Sequence, residues 1–191
     1  MPQVQTYTYR EFPSDLNWQA VSYMRVAWPF IEGGALRKTY PDECVPIHFV
    51  VVEDGLLLSY AAVIRMGIGH VGEEYETCGL GSVFTFPSSR RQGYGRQVVD
   101  AATRYITASD ADVAALFTGP DLEGFYARSG WEALQGAITL IGRKDAPSVI
   151  DAVRMMLFVS EKGKAGRGAF ESHPLYVENG WSVIVRYHGD E

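Results

Sequence analysis

The chemistry-bearing stretch of this chain is Val83-Phe84-Thr85-Phe86-Pro87-Ser88-Ser89-Arg90-Arg91-Gln92-Gly93-Tyr94-Gly95-Arg96. A β-like run ends at a proline. A short basic loop with two glycines follows, and an amphipathic helical pattern then begins. Glycine has no Cβ, so backbone N–H groups around Gly93 and Gly95 can come close to an anion. The positive end of the new helix favours negative charge at the same place. Arg90, Arg91 and Arg96 add mobile positive charge around it, in a chain whose net charge is −6. This order of residue types reads as a seat for a phosphate-bearing ligand.

Other glycine loops are separable by residue type. A P-loop ends in Gly-Lys-Ser/Thr, whereas Gly95 is followed by Arg96-Gln97. A dinucleotide fingerprint needs a third small residue where Val98 stands. An RNA-recognition strand needs further aromatics at Arg96 and Val98. A tight turn into a helix with solvated arginines is the plain structural alternative.

Three segments must position this loop. Tyr75 to Phe86 reads as the strand before it, with Gly79 and Gly81 marking a bulge or a close approach of backbone or ligand. Val98, Ala101, Ala102, Tyr105 and Ile106 form one apolar helical face after it, with Arg96, Asp100, Thr103 and Arg104 opposite. Val113 to Phe117 is a short buried strand. Upstream, Thr6 to Tyr9 reads as a strand and Leu16 to Trp28 as a helix ended by Pro29. Ile47 to Val52 and Leu56 to Met66 form a hairpin through Asp54-Gly55. Gly67 to Glu74 reads as a turn. Downstream, Gly119-Pro120 opens a short helix capped by Gly130. Trp131 to Gly142, Met155 to Ser160 and Trp181 to Tyr187 read as strands, and Glu161 to Gly168 as a basic, mobile loop. The order indicates a mixed α/β arrangement around one sheet.

Composition bounds the partners. With 191 residues, 47% hydrophobic and 21% charged, the chain is one ordinary globular domain. The negative net charge argues against a broad nucleic-acid footprint. No apolar run reaches the length of a membrane span and no signal-peptide pattern opens the chain, which places it in the cytoplasm, away from membranes. Cys44 and Cys78 read as free thiols. His70, His173 and His188 show no metal-ligand spacing with each other or with the cysteines, so no metal is expected.

Arg90-Arg91-Gln92-Gly93-Tyr94-Gly95 resembles the Gln/Arg-x-x-Gly-x-Gly/Ala loop of the GNAT acetyltransferase superfamily, including the strand and proline before it and the helix after it. Phe125-Tyr126-Ala127-Arg128-Ser129-Gly130-Trp131 is similar to that family's Leu/Phe-Tyr-x-x-x-Gly-Phe/Trp segment. The two matches, in register, cover residues 47–141. A softer likeness, through Ile47-His48-Phe49, Ala61-Ala62-Val63-Ile64 and the late Trp181, is to aminoglycoside 2′-N-acetyltransferases; the position of their strand glutamate falls on Gly81, and the chain runs on past Trp181.

The resemblance implies a mixed α+β fold, a mostly antiparallel central sheet flanked by helices. It implies one acetyltransferase domain over 1–191, with 143–191 an extension completing the sheet and the acceptor side. The implied activity is acetyl transfer from acetyl-coenzyme A to a primary amine of a small molecule, by direct attack through a tetrahedral intermediate. The loop amides of Arg90, Arg91, Gln92, Gly93, Tyr94, Gly95 and Arg96 would hold the pyrophosphate. Val83, Phe84 and Thr85 would pair with the pantetheine arm, and an N–H near Phe84 or Thr85 would face the oxyanion. Tyr126 would protonate the departing thiolate. For the general base the residues offer Glu73, Glu74 and Glu76, of which Glu76 is chosen, beside His48 and Glu178. Tyr23, Trp28, Phe30 and Tyr40 either line an acceptor pocket or belong to the core. A protein or peptide acetyltransferase and a non-catalytic coenzyme A-binding module stay open, as do the acceptor and the oligomeric state, a homodimer included.

Overall fold

The computed structural model describes residues 2–29 and 36–177. In chain order it holds β1 (Val4–Thr8), α1 (Ser14–Ala27), β2 (Ile47–Glu53), β3 (Leu56–His70), β4 (Glu73–Thr85), α2 (Tyr94–Thr107) and β5 (Val113–Thr118). Then come α3 (Glu123–Ala127), β6 (Glu132–Ala133), β7 (Thr139–Arg143), β8 (Ala146–Val149), β9 (Val153–Phe158), α4 (Glu161–Ser172) and β10 (Leu175–Val177). The chain divides into two units, Met1–Ile64 with Leu80–Tyr105, and Arg65–Gly79 with Ile106–Glu191. Strands β3 and β4 pass through both. The expected strand at 181–187, and Phe30, Glu178 and His188, lie outside the described residues.

In the first unit the strand order is β1-β2-β3-β4. Asp54 (φ 50°) and Gly55 (φ 76°) make the two-residue turn between β2 and β3 that the Asp-Gly pair predicts. The middles of β2 and β3 are buried without alternation, the signature of strands covered on both faces. Leu16, Ala20, Val21 and Met24 bury one stripe of α1. The helix stops where Pro29 forbids continuation, and the Trp28 N–H closes it on the Met24 carbonyl at 2.8 Å. Tyr23 of α1 stacks on Phe84 of β4 with ring centres 4.3 Å apart. Tyr105 of α2 meets Phe49 of β2 edge-on at 5.8 Å. Thr103, expected on the polar face of α2, is buried.

In the second unit, β4 and β5 pair in parallel from Thr77↔Val113 to Gly79↔Ala115. Strand β9 pairs antiparallel with β5 and with β6. A second sheet has the order β10-β7-β8, which corrects the reading of a single sheet. The ladders are mostly antiparallel and the class is mixed α+β, as expected. Three local readings need correction. The turn placed at Gly67 to Glu74 is only Val71-Gly72, because β3 runs on to His70 and Ile68 and His70 are buried on it. The strand placed at Trp131 to Gly142 is interrupted: Gly136 turns the chain at φ 72° between β6 and β7. Most importantly, Glu161 to Gly168 is no loop; it is the first two turns of α4.

Helix α4 forms despite its glycines because tertiary contacts demand them. The Ser160 Oγ caps it, accepting the Gly163 N–H at 3.0 Å. A Cβ at position 163 would overlap the Asp112 carbonyl oxygen, and one at 166 would overlap the Tyr75 hydroxyl. At the other end the Arg154 guanidinium, fully buried, donates to the carbonyl of Phe170 in the last turn and to that of Ile138 at 3.2 Å. A cation at a helix C-terminus is favourably placed. Phe170 itself sits in the core with Tyr75, Val113, Ala115 and Met156.

Candidate active site

The loop after β4 is built step by step. Pro87–Ser89 makes a 3-10 turn, with the Ser89 N–H on the Phe86 carbonyl at 2.9 Å. Arg91 (φ 63°) and Gly93 (φ 85°) then take left-handed conformations. At Gly93 only glycine does so without strain. The Gly93 carbonyl accepts the first helical bond, from Gln97 N–H at 3.1 Å, which makes Gly93 the N-cap of α2. A glycine cap has no side chain to satisfy the orphan donors of the first turn. Among the described residues the N–H groups of Gln92, Gly93, Tyr94 and Gly95 have no acceptor. No acidic residue stands in the first turn of α2 to neutralise them. Backbone donors and helix dipole therefore converge on one spot, the arrangement that accepts an anion.

The arginines divide, which corrects the reading of three mobile cations. Arg90 is tied down: its Nε donates to the Thr85 carbonyl at 3.2 Å and its Nη2 to the Tyr23 hydroxyl at 3.0 Å. Arg96 holds both carboxylate oxygens of Asp100, at 2.7 and 2.8 Å. Arg91 is exposed and, among the described residues, its guanidinium has no partner. Gln92 reaches the Ser88 carbonyl at 3.5 Å.

Side chains also hold the strand leading into the loop. Ser59 of β3 donates to the Phe84 carbonyl at 2.8 Å and lies 2.9 Å from the Thr85 hydroxyl. Ser82 takes φ 52° within β4, and its Oγ donates to the Tyr40 hydroxyl at 3.0 Å. Phe84 lies between Tyr23 and Tyr60, stacked on both. Trp28 and Phe86 meet Phe84 edge-on. Tyr40 and Tyr60 are core residues, whereas Tyr23, Trp28 and Phe86 are half-buried. These braces escaped sequence reasoning. Ser59 reads as a lone hydroxyl in an apolar strand, and Tyr23 stands 67 positions from Arg90.

Val83, Phe84, Thr85 and residues 90–96 thus share the first unit, while Glu76 and Tyr126 belong to the second. The Tyr126 ring, on α3, is 7% exposed, and burial pushes its phenol up to about 12, so it carries its proton at neutral pH. Gly130, at φ 91°, ends that helical segment as its spacing predicts, its N–H on the Ala127 carbonyl at 3.0 Å. The carboxylates of Glu73, Glu74 and Glu76 are exposed. Backbone bonds to Asp112 fix Glu76: its N–H donates to Asp112 Oδ2 at 3.1 Å and its carbonyl accepts the Asp112 N–H at 2.7 Å. His48 is a core residue. It stacks on Phe12 at 4.1 Å, its Nδ1 is 2.8 Å from the Tyr60 hydroxyl, and burial pushes its pKa down to about 4. Cys44 and Cys78 form no disulfide. Among the described residues no helix is long and apolar enough to cross a membrane, and no cluster of His, Cys, Asp or Glu has the arrangement of a metal site.

The acetyltransferase (GNAT) domain family matches residues 9–134, about two thirds of the chain. Among solved structures the chain is similar to ElaA of Escherichia coli, with a TM-score of 0.59 and 15% identity over 82% of this chain and 99% of that one. It is also similar to the GNAT family N-acetyltransferase YhbS of Escherichia coli, solved in complex with CoA (TM-score 0.56, 15% identity, 95% of this chain and 93% of that one). A GNAT family acetyltransferase from Brucella melitensis in complex with acetyl-CoA gives a TM-score of 0.53 at 17% identity, over 84% of this chain and 90% of that one. At such identities the likeness to these structures is one of fold. No curated protein matches the chain in sequence. On the family match, the chain belongs to the GNAT acetyltransferase family and is an acyltransferase.

Proposed function

We propose that this protein moves the acetyl group of acetyl-coenzyme A to a primary amine of a small molecule, aminoglycoside-like or of another kind. One observation carries the reading: the acceptor-less N–H groups of Gln92, Gly93, Tyr94 and Gly95 at the uncapped start of α2. These orphan donors fit a diphosphate, and the residues present therefore fit coenzyme A. Bound there, acetyl-coenzyme A supplies an activated thioester. Residues 90–96 seat its diphosphate, with Arg91 the side chain available for ion pairing, and Val83, Phe84 and Thr85 offer backbone partners to the pantetheine amides.

The chain's own residues then divide the proton chemistry. As the new C–N bond forms and the C–S bond breaks, Tyr126 gives its phenolic proton to the sulfur. Glu76 takes the proton lost by the amine, directly or through water. A backbone N–H near Phe84 or Thr85 faces the developing oxyanion. Residues 1–191 act as one acetyltransferase domain, with 143–191 on the acceptor side. The test is a panel of primary amines incubated with acetyl-coenzyme A and followed by thiol release. Turnover with at least one small amine is expected. In Tyr126→Phe, turnover falls at least tenfold while acetyl-coenzyme A binding stays within twofold. Undiminished turnover removes Tyr126 from the mechanism, and no acetyl-coenzyme A binding by the wild type removes the reading as a whole.

A further inference from the structure

We infer that Tyr40 is a positioning residue for acyl transfer, acting through Ser82 to hold the backbone of β4 in the conformation that receives the thioester; this rests on the acetyl-transfer reading above. Among the described residues Ser82 is the one non-glycine residue inside a strand with φ in the left-handed region, at 52°. A residue with a Cβ adopts that conformation at a steric cost and keeps it only where its surroundings enforce it. Here the enforcing contact is specific. The Ser82 Oγ donates to the Tyr40 hydroxyl at 3.0 Å, with both residues buried at 5% and 3% exposure.

A left-handed residue within a strand re-aims the peptide groups on either side of it, as a bulge does. Those peptide groups lead directly into Val83, Phe84 and Thr85. The carbonyls further along are held too, Phe84's by Ser59 and Thr85's by Arg90. A strand serving only as core needs no such succession of side-chain braces, since its neighbours satisfy it. A strand whose N–H groups must point at a reacting carbonyl does, because the donors have to be fixed before the reaction begins.

Binding tells positioning from packing. On the full-length chain, calorimetry measures the dissociation constants of acetyl-coenzyme A and of coenzyme A, which differ only in the acetyl group. In Tyr40→Phe the acetyl-coenzyme A affinity is expected to fall about fivefold while that of coenzyme A stays within about twofold. Ser82→Ala, which leaves the Tyr40 ring in the core, is expected to show the same selective loss. Glycine adopts φ 52° without a brace, so Ser82→Gly combined with Tyr40→Phe should restore the selectivity. Equal losses for both ligands, or no loss in either single variant, would make Tyr40 a plain core residue and overturn the inference while leaving the acetyl-transfer reading intact. A wild-type chain that binds neither ligand overturns both.

Discussion

Helix α4 offers the sharpest test of the packing, because one substitution should have opposite signs at two of its glycines. Gly168 is exposed, and a Cβ there meets nothing within 4 Å. Alanine removes the entropic cost of glycine in a helix, so Gly168→Ala should stabilise by about 0.5–1 kcal/mol. At Gly163 the same Cβ would overlap the Asp112 carbonyl oxygen, lie 2.8 Å from its carbon and 3.1 Å from Val113 Cγ1. Asp112 cannot yield. Its carbonyl already accepts the N–H groups of Val159 (2.9 Å) and Ser160 (3.2 Å), its N–H is bonded to Glu76, and its carboxylate holds the Ser160 hydroxyl at 2.6 Å. The helix must therefore retreat. A gap of about 1 Å forfeits a quarter to a half of the dispersion contact along the interface, and overpacking a filled site costs about 1–3 kcal/mol or more. Gly163→Ala should thus lose about 2 kcal/mol net, even after its gain in helix propensity. The two variants should differ by about 3 kcal/mol in urea denaturation, and by roughly 6–12 °C in midpoint for a chain of this size. A Gly163→Ala protein as stable as wild type would mean that α4 does not lie against Asp112, and the account of this unit would fail.

Three further outcomes are expected. An imidazole held at about 4 while buried binds a proton only in the unfolded chain between about pH 6.5 and 4, so stability is full above that window. It should fall with pH by about 1.4 kcal/mol per unit, to a total near 3 kcal/mol. Urea midpoints at pH 7, 5.5 and 4.5 test this, and a His48→Gln variant should flatten the slope; an unchanged slope would take His48 out of the cause. His70 adds to the same sign, its pKa lowered chiefly by burial. Arg90→Ala should lower the midpoint of the ligand-free protein, because it frees Tyr23 and the Thr85 carbonyl. Arg91→Ala should leave that midpoint unchanged and weaken the stabilisation by coenzyme A, about 2.7 kcal/mol at ~100 times the dissociation constant in the wild type. Identical behaviour of the two variants would refute the division between a strut and a ligand-facing cation.

What could be read in advance follows from the range of the interactions involved. The Asp54-Gly55 turn, the Gly130 cap, and the passage from β4 through Gly93 into α2 are decided within a few residues, so residue type and spacing reveal them. Helix α4 is the opposite case. Gly163, Gly166 and Gly168 among lysines and arginines carry the local signature of a loop, and contacts distant in sequence, with Asp112, Tyr75 and Arg154, join the Ser160 cap in making the helix the lower state. The same distinction runs through the site. Spacing places Arg90, Arg91 and Arg96 together around one helix start and suggests three equivalent cations. Their partners separate them, and those partners obey different rules. Asp100 is one helical turn from Arg96, a pairing that the i,i+4 rule makes legible. Tyr23 is reached by Arg90 only because α1 packs on β4 through Phe84. Charge counted along a chain therefore overstates the charge available to a ligand, and an anion site is better read from its glycines and uncapped amides, which have no side chain to commit elsewhere.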